Sequence, residues 1–448
     1  MAVLMRSVSG IRGIVGSSLT PEVLVSHLRA FLEITQAEVI VLGRDSRPTG
    51  LVISDLVQAV CRMAGVKVID IGLATTPTVA LAVEIHRAQG GIILTASHNP
   101  IEWNALKFLN QEGMFLGPKE IKELFELADA GSFRWAAWNA VTAVVAGESA
   151  NQAHIDGVLQ LPFVDLEAIK KAQFKVAIDA VNGAGSHIVP QLLEALGCEV
   201  VPLYCEPDGL FPRGAEPLAE NLQDLGELVR EQKCHVGFAL DPDADRCALV
   251  DSQGVAVGEE YTLAIAADTV LEREKRPMAI NLSTSRMNDD VAAKHGVPCF
   301  RSPVGEIHVS LAMIAEGCVI GGEGNGGVIL PALHYGRDSL VAIALVLDWM
   351  ARHQKKVEDF VQENIAYAMP KKKFDLGNTD LDDLFAQVLS KFPDWKIDRR
   401  DGLWLSKDKS WLHVRASNTE PVVRVIAEAP SSEYAEELCA QVELLLKS

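Results

Sequence analysis

His235-Val236-Gly237-Phe238-Ala239-Leu240-Asp241-Pro242-Asp243-Ala244-Asp245-Arg246 is the stretch that decides the fold class. An apolar strand, His235 to Leu240, runs directly into a loop that sets aspartates at every second position. Open α/β sheets present such loops at the carboxyl ends of their strands, where ligands bind. Moving outward, the same arrangement returns on both sides. Upstream, Ala37 to Leu42 leads into Gly43-Arg44-Asp45-Ser46-Arg47-Pro48, a helix is expected over Leu51 to Ala64, and strands over Val66 to Ile71 and Gly91 to Leu94. The last of these runs into Thr95-Ala96-Ser97-His98-Asn99-Pro100. Phe174 to Ile178 restarts the pattern, with a strand near Val200, and a third round has strands at Ala279 to Leu282 and Cys318 to Ile320.

Strand, polar loop and amphipathic helix thus alternate, the signature of α/β layers. From Lys371 onward the order changes. A helix over Leu381 to Leu389, strands near Trp404, Trp411 to Val414 and Val422 to Ile426, and a helix over Glu433 to Leu446 fit a small α+β unit. The pattern predicts three similar α/β domains plus a smaller C-terminal α+β domain. The boundaries expected are 1–150, 151–252, 253–367 and 368–448. A chain of 448 residues is too long for one hydrophobic core, which agrees.

Composition narrows the function. The chain is 48% hydrophobic and 23% charged, with 34 Gly and 20 Pro, so collagen-like and disordered readings fall away. A net charge of −19 repels nucleic acid and anionic lipid, so neither is expected as a partner, and an anionic ligand would require arginines concentrated locally. Met1 to Gly10 lacks the apolar core of a signal peptide, and the apolar run Leu340 to Leu347 is too short to span a bilayer. Eight cysteines without a CxxC pair read as reduced thiols, and a cytoplasmic location is expected.

Four loops carry candidate chemistry. Thr95 to Pro100 places a serine beside a histidine, which by itself is also an ordinary polar turn. The Asp241-x-Asp243-x-Asp245 carboxylates repel one another unless a cation lies between them. Oxygen ligands without His or Cys favour Mg²⁺ or Ca²⁺ over zinc, and a solvated acidic turn is the alternative. An EF-hand is excluded, because its glycine position holds Arg246 and its closing glutamate position holds Ser252. Gly322-Glu323-Gly324-Asn325-Gly326-Gly327 lacks the Walker lysine, and its glutamate and asparagine suit vicinal hydroxyls. Arg415-Ala416-Ser417-Asn418-Thr419-Glu420-Pro421 gathers donors of the kind that wrap a phosphate dianion, or forms a Ser/Thr-rich turn.

Together, in this order and at these separations, the four loops resemble those of the α-D-phosphohexomutase family, the phosphoglucomutases, phosphomannomutases and phosphoglucosamine mutases. Ser9-Gly10-Ile11-Arg12-Gly13, Gly43 to Arg47 and Pro207-Asp208-Gly209-Leu210-Phe211-Pro212 extend the resemblance over nearly the whole chain. It implies three α/β/α mixed-sheet domains plus a smaller C-terminal α+β domain around a central cleft. It also implies that Ser97 carries a phosphoryl group and that Ser97, Asp241, Asp243 and Asp245 hold Mg²⁺. Lys107 and Arg12 match positions that serve or assist proton transfer, with Arg12 mainly electrostatic, and His98 positions the serine loop or the substrate. Arg246, Glu323 and Asn325 bind the substrate, while Arg415, Ser417, Asn418 and Thr419 grip its non-reacting phosphate, with Arg424 as a further candidate. The implied reaction moves phosphate between the 1- and 6-positions of a hexose through a hexose 1,6-bisphosphate. The partner is a small-molecule sugar phosphate, and the enzyme is a monomer or homodimer.

The sugar loop departs from the common bacterial form Gly-Glu-x-Ser-Gly-His, with Asn325 for Ser and Gly327 for His. That change implies more room and fewer fixed donors, hence loose discrimination among glucose, mannose and glucosamine phosphates. Val304-Gly305-Glu306-Ile307-His308 also lacks the Lys or Arg many relatives carry. A strand ending in Asp-x-Asp also opens the haloacid-dehalogenase phosphatases, so a Mg²⁺-dependent sugar phosphatase using Asp241 is the rival reading.

Overall fold

A computed structural model describes residues 3–147, 149–364, 367–376, 379–416 and 422–446. Four sheets succeed one another along the chain. The first has seven strands in the order Met5–Ser7, Gly10–Ile14, Trp103–Leu109, Gly90–Leu94, Val39–Arg44, Lys67–Leu73 and Val144–Ala146. Its centre is parallel, and Trp103–Leu109 turns it antiparallel toward the N-terminal hairpin. The second sheet is Cys247–Val250, Val236–Leu240, Lys175–Asp179 and Glu199–Leu203, parallel except for its first strand. The third is Cys299–Ser302, Met278–Asn281, Ile320–Glu323, Gly327–Leu330 and His334–Arg337. The fourth is antiparallel throughout, Lys371–Asp375, Val422–Glu428, Ser410–Ala416, Leu403–Lys407 and Lys396–Asp398, with the helices Leu381–Lys391 and Ser432–Leu446.

The strand Val236–Leu240 is buried at every residue because both of its faces are covered, which is why its sequence shows no alternation. The run Leu340 to Leu347 belongs to the helix Ser339–His353, buried over Ser339 to Met350. A helix apolar all round must be covered on every side. Here one continuous apolar cluster, from Ile155 through Phe238, Leu263 and Leu345 to Phe360, surrounds it. The second and third sheets therefore share a core across the region around residue 252. The first sheet and the C-terminal sheet have clusters of their own, around Phe31 and Phe108 and around Leu412 and Leu438. No described helix is long and apolar enough to cross a membrane. All eight cysteines are free thiols.

Candidate active site

The loop after Gly90–Leu94 is held open by a buried arginine. Arg47, with no exposed surface, donates from Nη2 to the carbonyls of Ser97 (2.6 Å) and Asn99 (2.7 Å), and from Nη1 to that of Pro100 (2.7 Å). Its Nε pairs with Asp45 at 3.0 Å, and its guanidinium lies 4.8 Å from the Phe211 ring centre. The two supporting segments of sequence, Gly43 to Arg47 and Pro207 to Pro212, thus meet behind the serine. Ser97 itself adopts φ +50°, a conformation disfavoured for a residue with a side chain, and its N–H is fixed by Thr95 Oγ1 at 2.9 Å. This arrangement points its hydroxyl at the second domain, where it donates to Asp241 Oδ2 at 3.2 Å.

Asp241, Asp243 and Asp245 are all fully buried, with carboxylate oxygens within 4.8 Å of one another. Burial, and then the charges of Asp245 and Asp243, push the Asp241 carboxyl well above the usual range. Asp243 goes the other way: burial raises it, but Lys107 Nζ at 2.6 Å and the Thr76 hydroxyl at 2.6 Å outweigh burial and hold it ionised. Asp243 Oδ1 and Asp245 Oδ1 are buried and accept no hydrogen bond. A buried carboxylate oxygen without a donor is costly, and two of them facing a third carboxylate are the donor set a hard divalent cation requires. The residues present therefore fit Mg²⁺.

Arg246 follows the trio, with Nε 3.9 Å from Asp241 and 3.7 Å from Asp245, and Nη1 3.4 Å from Glu216. It is the first cause, ahead of burial, that drives the His98 imidazole well below its ordinary value. His98 is accordingly neutral near pH 7, with Nδ1 3.4 Å from Ser97 Oγ. Arg12 reaches Asn99 Oδ1 at 3.3 Å. Burial lowers its pKa, against the pull of Asp243.

Glu323 stands at the end of the strand Ile320–Glu323 rather than in the loop, and its neighbours clamp it. Oε1 accepts from Asn281 Nδ2 (2.7 Å) and Gly305 N (3.0 Å), and Oε2 from Arg337 Nη1 (2.7 Å). Gly326, at φ +81°, lies so close to Cys247 that a Cβ would come 2.3 Å from its carbonyl oxygen. The 322–327 loop thus packs directly on the strand that leaves the aspartate loop. The added room expected from Gly327 is not there: the stem of Arg337 fills it. Arg337, which the sequence reading did not single out, also pairs with Asp245 at 2.5 Å and Glu306 at 2.9 Å.

From the fourth sheet, Arg415 and Arg424 sit opposite one another in register. Both line a cavity of about 330 Å³ together with Arg12, His98, Lys107, Arg246, Glu323, Asn325 and Arg337. Ser417, Asn418 and Thr419 lie outside the described residues. Lys371, not among the expected site residues, joins the same wall. Seven lysines and arginines thus line one cleft of an acidic protein, beside four glutamates, a local concentration of cations that suits an anion.

Family models for the phosphoglucomutase/phosphomannomutase α/β/α domains I, II and III match residues 5–135, 152–254 and 258–367, and the model for the C-terminal domain matches 378–445. The chain belongs to this family, the α-D-phosphohexomutases. It is 36% identical over 437 residues to a phosphoglucomutase/phosphomannomutase of Thermococcus kodakarensis, covering 96% of this chain and 95% of the relative. To a probable phosphoglucosamine mutase of Methanopyrus kandleri it is 33% identical over 435 residues, covering 96% and 95%. The fold is shared with a putative phosphomannomutase from Thermus thermophilus (TM-score 0.83, 24% identity, all of both chains). It is shared more distantly with an N-acetylphosphoglucosamine mutase of Aspergillus fumigatus solved with GlcNAc-6P and magnesium (TM-score 0.62, 14% identity, 98% and 95% covered). Members of the α-D-phosphohexomutase family are isomerases that act as intramolecular phosphotransferases.

Proposed function

We propose that the chain interconverts hexose 1-phosphates and 6-phosphates, with Ser97 as the phosphoryl carrier and a hexose 1,6-bisphosphate as the intermediate. The observation that carries this reading is the Ser97 hydroxyl 3.2 Å from Asp241, beside two buried aspartate oxygens that have no donor. Asp241, Asp243, Asp245 and the Ser97 phosphate would hold Mg²⁺, which offsets charge on the phosphoryl group. The P–O bond to Ser97 breaks as one forms to the free hydroxyl of the sugar monophosphate. The ammonium of Lys107 gives its proton to the departing Ser97 oxygen and takes that of the attacking hydroxyl, His98 positions the serine loop, and Arg12 and Arg246 stabilise the charge that develops. Glu323 and Asn325 hold the sugar hydroxyls. Arg415, with Ser417, Asn418 and Thr419, grips the phosphate that does not react. The bisphosphate then turns over in the cleft and returns its other phosphate to Ser97. This is the reason to divide the chain functionally at 1–150, 151–252, 253–367 and 368–448, one loop from each part. The reduced thiols suit a cytoplasmic enzyme.

A phosphatase using Asp241 is the weaker reading, because the Ser97 hydroxyl stands 3.2 Å from Asp241 as a second phosphoryl acceptor and the family the chain belongs to is one of mutases. Incubation with a hexose 1-phosphate and Mg²⁺ separates the two. A mutase yields the 6-phosphate with negligible free phosphate, whereas a phosphatase releases phosphate in proportion to substrate consumed.

A further inference from the structure

Gly327 does not need to be glycine for its backbone, since its φ is one any residue adopts. It needs to be glycine for space: a Cβ there would lie 2.3 Å from Arg337 Cδ and 2.9 Å from Arg337 Cγ. Real packed carbons do not approach so closely, and the crowding atoms are the mid-stem of a side chain pinned at its far end. That pinning is extensive. The guanidinium spends Nη2 on Asp245 (2.5 Å), Nε on Glu306 (2.9 Å) and Nη1 on Glu323 (2.7 Å), while the Arg337 N–H donates to Glu306 Oε1 at 3.2 Å. The side chain is 9% exposed and faces the cleft. Only the planar fork of arginine can serve three carboxylates in three directions, and a lysine would be a single point charge among them.

We propose that Arg337 is a positioning residue for the sugar site and that Gly327 is its matched partner. The stem takes the space a side chain at 327 would use, and the guanidinium ties the carboxylate of Glu323 to that of Asp245. The inference rests on the reading of Glu323 as the group that holds the sugar. Its consequence is mechanical: the sugar loop and the aspartate loop are oriented by one cation, so disturbing the stem at 327 misplaces Glu323 although every charge remains. With three buried carboxylates on one guanidinium, Arg337 also sets how Asp245 is presented to a divalent ion.

Gly327→Ala tests this without removing any charge. The KM for hexose 1-phosphate should rise about tenfold or more while kcat falls much less, the pattern of lost substrate positioning. Arg337→Lys should show the same split and weaken Mn²⁺ binding, followed by the ion's own spin-resonance signal. In an Arg337→Ala background the alanine at 327 no longer meets the arginine stem, its nearest remaining neighbour being the Asn325 side-chain oxygen at 3.1 Å, so Gly327→Ala/Arg337→Ala should be little worse than Arg337→Ala alone. Thermal melting run alongside reports folding: Gly327→Ala should lower the melting temperature in the wild-type background and leave it little changed in the Arg337→Ala background. A wild-type KM for Gly327→Ala, or losses that multiply in the double variant, overturns the pairing. If the wild-type protein converts no hexose phosphate, the functional reading fails on its own. The pair then stands or falls on the melting cycle and on Mn²⁺ affinity.

Discussion

Lys107 Nζ lies 2.6 Å from Asp243 Oδ2, and both side chains are buried to within 2%. It is also 4.0 Å from Asp245, so one ammonium compensates two of the three aspartates while it lines the cleft. Lys107→Met should therefore separate two roles. Turnover should fall by about 10²- to 10⁴-fold, as for loss of a proton-transfer group. Mn²⁺ affinity should hold or tighten, because a competing cation has left the carboxylates. Steady-state rates and metal titration on the same preparation check both halves.

The strand-and-loop framework was legible because each candidate loop directly follows an apolar strand, and apolar runs ending in Asp, Ser or Gly survive reading without any tertiary knowledge. Val236–Leu240, Gly90–Leu94 and Lys175–Asp179 fall within a residue or two of where the pattern placed them. Glu323 was read as a loop residue because Gly321 and Gly322 look like turn material, whereas the ladder with Met278–Asn281 continues through them. Arg47 and Arg337 were not legible as site residues. Arg47 acts on carbonyls fifty residues away, and Arg337 on carboxylates brought in by the aspartate loop and by the end of the strand Ile320–Glu323. A lone arginine at a strand end carries no local signature of such partners. The glycine at 327 was the available clue, read as empty space when it marked occupied space.

Arg47 is expected to matter for stability before it matters for rate. It pairs with the buried Asp45 and satisfies three carbonyls of the serine loop. Arg47→Ala leaves that carboxylate and those carbonyls uncompensated, and breaking a buried pair in this way costs about 3–5 kcal/mol. Denaturant unfolding should show a loss of that size. Arg47→Lys should recover only part of it, since an ammonium cannot span the three acceptors.

Glu260 lines the cleft with Oε1 buried and unpartnered, while Oε2 accepts from Ser285 N at 2.9 Å. Burial pushes its carboxyl up to about 8, against the pull of Lys371 and the Ser285 N–H. A folded pKa above the unfolded one of about 4.3 gives stability that is whole below the unfolded value and is lost as pH rises through about 8. Glu260→Gln abolishes that loss. The variant should gain on the wild type as melting temperatures are followed from pH 5 to pH 8.5, and a constant difference across that range would contradict the assignment.

Glucose, mannose and glucosamine share their 3- and 4-hydroxyl configuration and differ at carbon 2. Glu323 and Asn325 suit the shared hydroxyls. We expect measurable turnover of at least two of the three monophosphates, with glucosamine or mannose phosphate no worse than glucose phosphate. Loose contacts discriminate by only about 1–3 kcal/mol, so a preference above about a thousandfold for one sugar would show a carbon-2 contact this account lacks.

The central claim is that Ser97 carries the phosphoryl group, and intact-protein mass tests it most directly. After incubation with a hexose 1,6-bisphosphate and Mg²⁺, the wild-type chain should gain one phosphoryl group, about 80 Da, and lose it to added hexose monophosphate. Ser97→Ala should gain nothing and retain almost no turnover. A Ser97→Ala protein that takes up the same mass, or that interconverts hexose phosphates at a near-normal rate, would contradict the account.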